Sequence, residues 1–524
     1  MKSVNTAVLR GIEGVKVNVE VDIDNGIPAF IIIGLGDTMV KEAGERIKGA
    51  IINSGLRFPK GRIVVNLSPA NIRKKGSHLE LAVAVGILAA SGQVKWNQKS
   101  SKIGFFGELS LGGEVLTAKG ILPMSQTLID SGIETIVMPQ GNQQEEHLID
   151  GQSVKVSNLN QVVDFLNKGT KFYNPTWDND DGMLNGNRPM DCSINEENPD
   201  TRELDFADVR GQEEAKRAIV IAAAGNHGLI MVGSPGSGKT MLAKRIPTIL
   251  PPMTNRELIQ TATIYSVVGK LDHNIAKQGV RPFRAPYYKS TAVSLIGGGQ
   301  TPMPGEISLA HNGVLFLDEI GEFSRNVLDT LRTPMEEKKI AISRKGENYT
   351  FPSDFLFVAA SNPCKCGYYG DPNRECTCTQ YDIDNYRRKI SGPLSHRIDL
   401  HIYIPNIDFD TYDNKNTIST DMMRDAVLKA RKIQHERYQG ENVEYNSQLN
   451  GEQLYRFCQM SPEAKKVLKE AYENLNLTPR TCEKTIKIAR TIADIDGEKD
   501  ISVKSMAEAL SYRGIEQIYG RGMN

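Results

Sequence analysis

The chain has 524 residues, enough for two to four domains, each with its own core. Its 63 Lys and Arg balance its 63 Asp and Glu, so there is no global basic bias, and any nucleic-acid surface has to be local. Hydrophobic content of 40% with 24% charged residues is ordinary for a soluble globular chain, and no apolar run reaches the roughly 18–20 residues of a membrane span.

The start, MKSVNTAVLRGIEG, lacks the apolar stretch of a secretory signal. The expectation is a cytoplasmic protein with no membrane partner and reduced thiols, in which Cys192, Cys458 and Cys482 are scattered and inert. Along the first 170 residues the pattern predicts an α+β domain. VKVNVEVDI alternates with period two and reads as a strand; PAFIIIGL and GRIVVNLSP read as further strands. HLELAVAVGILAASG is long, apolar and closed by Gly, which predicts a buried helix. SKIGFFGELSLGGEVL predicts a hairpin around Gly112-Gly113. Residues 171–203 are rich in Asn, Asp, Gly and Pro and read as a flexible linker.

From 204 to 406 strands and helices alternate, which predicts an open α/β sheet. GSPGSGKT, Gly233 to Thr240, lies between an apolar strand (GLIMV) and a helix (MLAKRIPTIL) and matches the phosphate-loop pattern. Gly233, Gly236 and Gly238 free the backbone to turn toward phosphate oxygens, with Ser234, Pro235 and Ser237 completing the loop. The helix start, with Thr240 and Met241, adds a dipole that favours anions. Lys239 reaches the β and γ phosphates of ATP, and Thr240 holds Mg²⁺. About eighty residues on, GVLFLDEI is a buried strand that delivers Asp318 to the Mg²⁺ shell and Glu319 to the attacking water. A third buried strand, DFLFVAASNP, ends at Asn362, placed for the water or the γ-phosphate. From 407 to 524 four amphipathic stretches predict a small all-helical domain.

Phosphate loop, DE strand and Asn-ended strand in this order resemble AAA+ ATPases. That resemblance implies an arginine finger at Arg397 in GPLSHRIDLHI, and a second sensor at Arg480 in NLTPRTCEKTIKIAR. The bland readings are an ion pair of Arg397 with Asp399 and a helix-cap or surface role for Arg480. Asp208 and Val209, in DFADVRGQEEAKRAI, match the stretch that contacts adenine, or are a plain helix start.

RPFRAPYYKSTAVSLIGGGQTPMPGEISLAHNGVLFLDE closely resembles the magnesium-chelatase-like branch of AAA+ proteins. GLGDTMVKEAGERIKGAIINSG and NLSPANIRKKGSHLELAVA are similar to its YifB/ComM members, and the similarity covers nearly the whole chain. The first domain then resembles the Lon-protease fold in a degenerate, non-proteolytic form. His78 stands at the nucleophile position with Ser77 one step off, and Leu122 stands at the lysine position with Lys119 three early.

The resemblance implies a homo-oligomer, a six-membered ring around a pore. Two insertions would face it: Arg281 to Gly305, with Arg284, Tyr287, Tyr288 and Lys289, and a hairpin about Lys345-Gly346 with Lys338, Lys339 and Arg344. Cations beside aromatics suit DNA, and so do Arg73, Lys74 and Lys75 of the first domain; solvated loops are the alternative. SNPCKCGYYGDPNRECTCTQ sets Cys364, Cys366, Cys376 and Cys378 in a C-x-C-x9-C-x-C pattern. It fits tetrahedral Zn²⁺, with reduced structural thiols or a redox sensor as alternatives. The function expected is an ATP-driven AAA+ motor on branched or single-stranded DNA, a helicase or branch-migration enzyme of recombination or natural transformation. A chelatase-type ATPase subunit and a non-translocating scaffold are its rivals.

Overall fold

The structure is a computed structural model. It describes residues 1–34, 38–70, 74, 76–168, 204–344, 346–371, 374–390, 394–407, 417–475 and 477–513. The expected linker and Cys192 lie outside the described residues, as do Arg73, Lys75 and Lys345. Two compact units emerge. One holds the described residues up to Lys168 together with Asn255–Gly279; the other holds the described residues of 204–254 and 280–513.

The first unit is built on one seven-stranded mixed sheet. Its strands are β1 (Lys2–Arg10), β2 (Glu13–Asp24), β3 (Ala29–Ile33), β4 (Arg62–Ser68), β5 (Ile103–Phe105), β6 (Thr135–Pro139) and β7 (Gln152–Val156), in the order β3-β4-β2-β1-β5-β6-β7. β2 pairs antiparallel with β1 and β4, and the other neighbours run parallel. The period-two pattern of β2 buries Val17, Val19 and Val21 on one face. Against this sheet pack α1 (Thr38–Asn53), α2 (Glu80–Ala90) and α3 (Ile121–Asp130). The sequence of α2 is apolar on every side, and every residue from Glu80 to Ala89 is buried. Its single charge, Glu80, accepts from Arg46 of α1 and from the Leu109 amide. The expected hairpin is present: Glu108–Leu109 pairs with Val115–Leu116 around Gly112-Gly113. The helix Asn255–Val268 belongs to this unit, where Ser266 donates to the buried Glu145 at 2.9 Å.

The second unit carries a five-stranded parallel sheet. Its elements are α4 (Glu213–Gly225), β8 (Leu229–Gly233), α5 (Lys239–Ile249), β9 (Phe283–Arg284), β10 (Val314–Leu317), β11 (Lys339–Arg344), β12 (Glu347–Pro352), β13 (Leu356–Ser361), α6 (Gln380–Ile390) and β14 (Leu400–Ile404). The order is β9-β10-β13-β8-β14, while β11 and β12 form the separate antiparallel hairpin that the sequence predicts. β8, β10 and β13 are buried at every residue, as strands covered on both faces must be, and this explains their unbroken apolar runs.

The helices α7 (Thr420–Arg437), α8 (Gly451–Phe457), α9 (Pro462–Asn474), α10 (Pro479–Asp496) and α11 (Val503–Ser511) follow. Met423, Val427 and Ile488 of these helices share one hydrophobic core with Leu400 and Ile402 of the sheet. A buried ionic knot ties them together. Asp494 accepts from Arg437 at 2.9 Å, from Arg490 at 3.1 Å and from Asn446 at 2.9 Å. No helix among the described residues is long and apolar enough to cross a membrane.

Candidate functional site

Because β8 lies between β13 and β14, the loop leaving its carboxyl end opens into the crevice where open α/β sheets bind ligands. Gly236 and Gly238 have φ of 82° and 90°, a left-handed backbone that favours glycine. Gly233 is needed for a different reason: a Cβ there would meet the Ile404 carbonyl oxygen of β14 at 2.4 Å. Lys239 opens α5 and turns back into the loop. Its ammonium donates to the Gly233 and Ser234 carbonyls at 2.7 and 2.8 Å and lies 3.3 Å from Ser237 Oγ and 3.4 Å from Asn362 Oδ1. Burial pushes it down to about 8, although Asp318 and Glu319 pull the other way. Tyr403 hydrogen-bonds Ser234 from β14, a contact that the sequence did not signal.

β10 ends beside β13, which brings the acidic pair to the same crevice. Thr240 Oγ1 donates to Asp318 Oδ2 at 2.8 Å. These are two oxygen donors of the kind Mg²⁺ takes alongside phosphate oxygens, and the Lys239 ammonium held in the phosphate loop is the cation a triphosphate needs, so the residues fit MgATP. Glu319 is exposed and donates its amide to Asp318 Oδ1 at 3.0 Å. Its backbone is left-handed, with φ 49° and ψ 47°. For a residue with a Cβ that conformation costs about 1–2 kcal/mol.

The two arginines meet on one carboxylate. Glu336, in the short helix Arg332–Glu337, lies 3.1 Å from Arg397 Nε and 2.5 Å from Arg480 Nη2. Burial would raise that carboxyl, but the two guanidiniums hold it below the usual range. Asp399 is taken up by Lys484 at 2.7 Å and His227 at 3.3 Å, while Arg397 pairs with Glu336. Sequence reasoning missed Glu336; within MEEKK it looks like part of a solvated charge run. Asp208 pairs with Arg245 of α5 at 3.2 Å, and Val209 is buried in the core of this unit. Met241 is exposed on the first turn of α5.

Several candidate DNA contacts are otherwise engaged. Arg281 donates to the carbonyls of Pro251 and Asn312, and Arg284 is bidentate on Glu306 at 2.7 and 2.8 Å. Lys338 pairs with Asp354 at 3.0 Å. Tyr287, tilted against Tyr288 with centroids 4.5 Å apart, remains exposed, as do Lys289, Lys339 and Arg344. In the first unit Lys74 is buried and its ammonium bonds the Pro69 carbonyl, so the expectation that it touches phosphate does not hold. His78 is buried against the Ala7 carbonyl at 3.1 Å, and burial pushes it down to about 4. Ser77 donates to Glu108, and the Leu122 side chain is buried.

The four clustered cysteines converge after β13, with Cys364 fully buried and all four sulfurs within 4.8 Å of one another. Cys458 is a buried thiol that burial pushes up to about 12, and burial also raises half-buried Cys482.

A parallel α/β sheet with a phosphate loop on an inner strand and an Asp-Glu pair two strands away is an AAA+-like core. Family models agree with that architecture. The model described as magnesium chelatase, subunit ChlI, matches residues 205–412. Those described as subunit ChlI of Mg-chelatase and as the ChlI C-terminal part match 19–142 and 417–513. The chain is 38% identical over 512 residues to the competence protein ComM of Haemophilus influenzae, covering 97% of this chain and 96% of that one. It is 36% identical over 520 residues to the uncharacterized protein YifB of Escherichia coli, covering 98% and 97%. To the magnesium-chelatase 67 kDa subunit of Chlorobaculum parvum it is 26% identical over 161 residues, covering 30% and 23%. The chain belongs to the YifB/ComM family of magnesium-chelatase-like proteins.

Proposed function

We propose that the chain is an AAA+ ATP hydrolase that assembles into a ring, with six subunits the expected number, and moves on DNA. In this reading residues 1–170 are a degenerate Lon-like domain, 204–406 the ATPase core and 407–524 its helical lid. The observation that carries the hydrolase is the convergence of Lys239, Thr240, Asp318 and Asn362 at the strand ends.

Lys239 neutralises the β and γ phosphates once nucleotide oxygens replace the loop carbonyls around it. Thr240 and Asp318 would hold Mg²⁺, which would supply positive charge beside the transferring phosphoryl group. Glu319 takes up the proton of the attacking water, and Asn362 orients that water. Arg397 and Arg480 act together. A γ-phosphate brought by a neighbouring subunit carries the kind of charge that Glu336 now presents to both. Asp208 and Val209 border the base.

The DNA reading rests on exposed Tyr287, Lys289, Lys339 and Arg344, and on the relative whose name is competence protein. It places the work in natural transformation or recombination, as strand displacement or branch migration in the cytoplasm. A chelatase-type subunit is the alternative suggested by the chelatase match, which spans 30% of this chain. ATP hydrolysis titrated with single-stranded, duplex and four-way DNA separates the two. The motor reading expects stimulation by DNA and strand displacement that Lys239→Ala and Glu319→Gln abolish; hydrolysis indifferent to every DNA form refutes it.

A further inference from the structure

We propose that Cys364, Cys366, Cys376 and Cys378 bind a single Zn²⁺ ion, and that this ion braces the loop backing the phosphate loop. The sulfur geometry is the first support. Cys364 lies 3.3 Å from Cys366 and 3.7 Å from Cys376, and Cys366 lies 3.5 Å from Cys376, sulfur to sulfur. Four sulfurs at about 2.3 Å from one zinc sit about 3.8 Å apart. A disulfide needs about 2.05 Å, and a cluster of several irons spreads its ligands more widely than the 4.8 Å limit seen here.

The backbone around the sulfurs is the second support. The Tyr369 amide faces Cys364 and those of Tyr368 and Thr377 face Cys366, while the Gly367 amide donates to the Cys364 carbonyl at 3.1 Å. The Cys378 amide serves Cys376, and the Cys366 amide serves Cys378 at 3.4 Å. Every sulfur thus has at least one N–H donor. Backbone N–H groups turned toward the sulfurs are the surroundings that metal-bound cysteines take. Binding would release the thiol protons and form four Zn–S bonds without any change of oxidation state.

The position of the loop gives the ion a purpose. Cys364 is two residues after Asn362, so the site starts where the candidate water-orienting residue ends. Gly367, at φ 90°, presses on the phosphate loop; a Cβ there would meet Pro235 Cγ at 2.6 Å. The far side is tied down as well: Asn406, just after β14, donates to Asp371 at 2.9 Å. Arg374 caps the ring of Tyr368 at 4.1 Å. A loop pinned at both ends and cross-linked in the middle keeps Asn362 and Pro235 in register; without the cross-link, four thiols have no reason to hold it there.

The test is metal content of the full chain, purified under reducing conditions without added metal. One zinc per chain is expected, released by a mercurial reagent. Cobalt titrated into the depleted chain should give the visible bands of tetrahedral thiolate Co²⁺. The double variant Cys376→Ser/Cys378→Ser should lose the metal and Cys482→Ser should keep it. No zinc and no cobalt bands, iron in place of zinc, or zinc retained in the double variant would each overturn the site. Bracing is read by fluorescent ADP binding to the wild-type chain before depletion, after it, and after zinc is restored, which does not depend on a variant folding. A several-fold loss that zinc reverses is expected, and unchanged affinity overturns the bracing. Only this arm rests on the nucleotide reading: a zinc-loaded chain that binds no ADP refutes that reading and leaves the metal site standing.

Discussion

Lys239 holds its proton weakly because it is buried among neutral acceptors, with its ordinary value near 10.5 lowered to about 8. Polyphosphate around the same ammonium favours the charged form, so above pH 8 binding must take up a proton, and below it the proton is already there. ADP affinity is therefore expected to fall as pH rises from 7.5 to 9, by up to about tenfold per unit above the folded value, with calorimetric proton uptake rising in step. Affinity flat across that range would show that the lysine is not the group facing phosphate. In the free protein the sign is opposite. Between about 8 and 10.5 the unfolded chain carries a proton that the native lysine lacks, so this residue's contribution to stability grows with pH. Glu319 makes a second residue-scale case. Glycine removes the Cβ that its left-handed backbone resists, so Glu319→Gly should leave stability unchanged or raise it by up to about 1 kcal/mol while abolishing hydrolysis. Thermal melting beside a turnover assay checks both halves; a clear loss of stability would mean that the conformation is not strained.

Among elements, α7 and α10 are joined by Asp494, which has no solvent exposure and carries Arg437 and Arg490. A buried carboxylate between two cations adds little over apolar packing while intact, but its removal leaves two charges without their partner. Asp494→Ala is expected to cost about 3–5 kcal/mol in urea denaturation. A loss under about 1 kcal/mol would mean that water reaches the arginines. Most elements were legible in the sequence. The alternation of β2, the all-round apolar α2 and the turn of the β11–β12 hairpin are local patterns that follow from backbone geometry. Partnership was not legible. The helix Asn255–Val268 has an apolar face that says it is buried, and nothing in its residues says that it belongs to the first unit. Lys74 reads as one of three loop cations and is in fact buried on the Pro69 carbonyl.

For the whole molecule the decisive expectation is that one subunit completes another's site. Arg397→Ala should keep nucleotide affinity and lose turnover by several orders of magnitude. Mixed with Lys239→Ala subunits, which are equally inactive, it should recover part of the wild-type rate, because a boundary between the two can pair an intact phosphate loop with an intact arginine. No recovery at any mixing ratio, with both variants assembled by native mass, would place Arg397 in its own subunit's chemistry. The sequence alone determined the phosphate loop, the Asp-Glu strand, the order of layers and the cysteine spacing, since each is written in consecutive residues whose turn, strand or donor chemistry admits few alternatives. Only the tertiary structure decided which charges face which. Glu336 meets Arg397 and an Arg480 that lies 144 residues away, and Gly367 meets Pro235. Such contacts depend on how sheets and helices pack, and a carboxylate within a charge run carries no mark of the partner that folding brings to it.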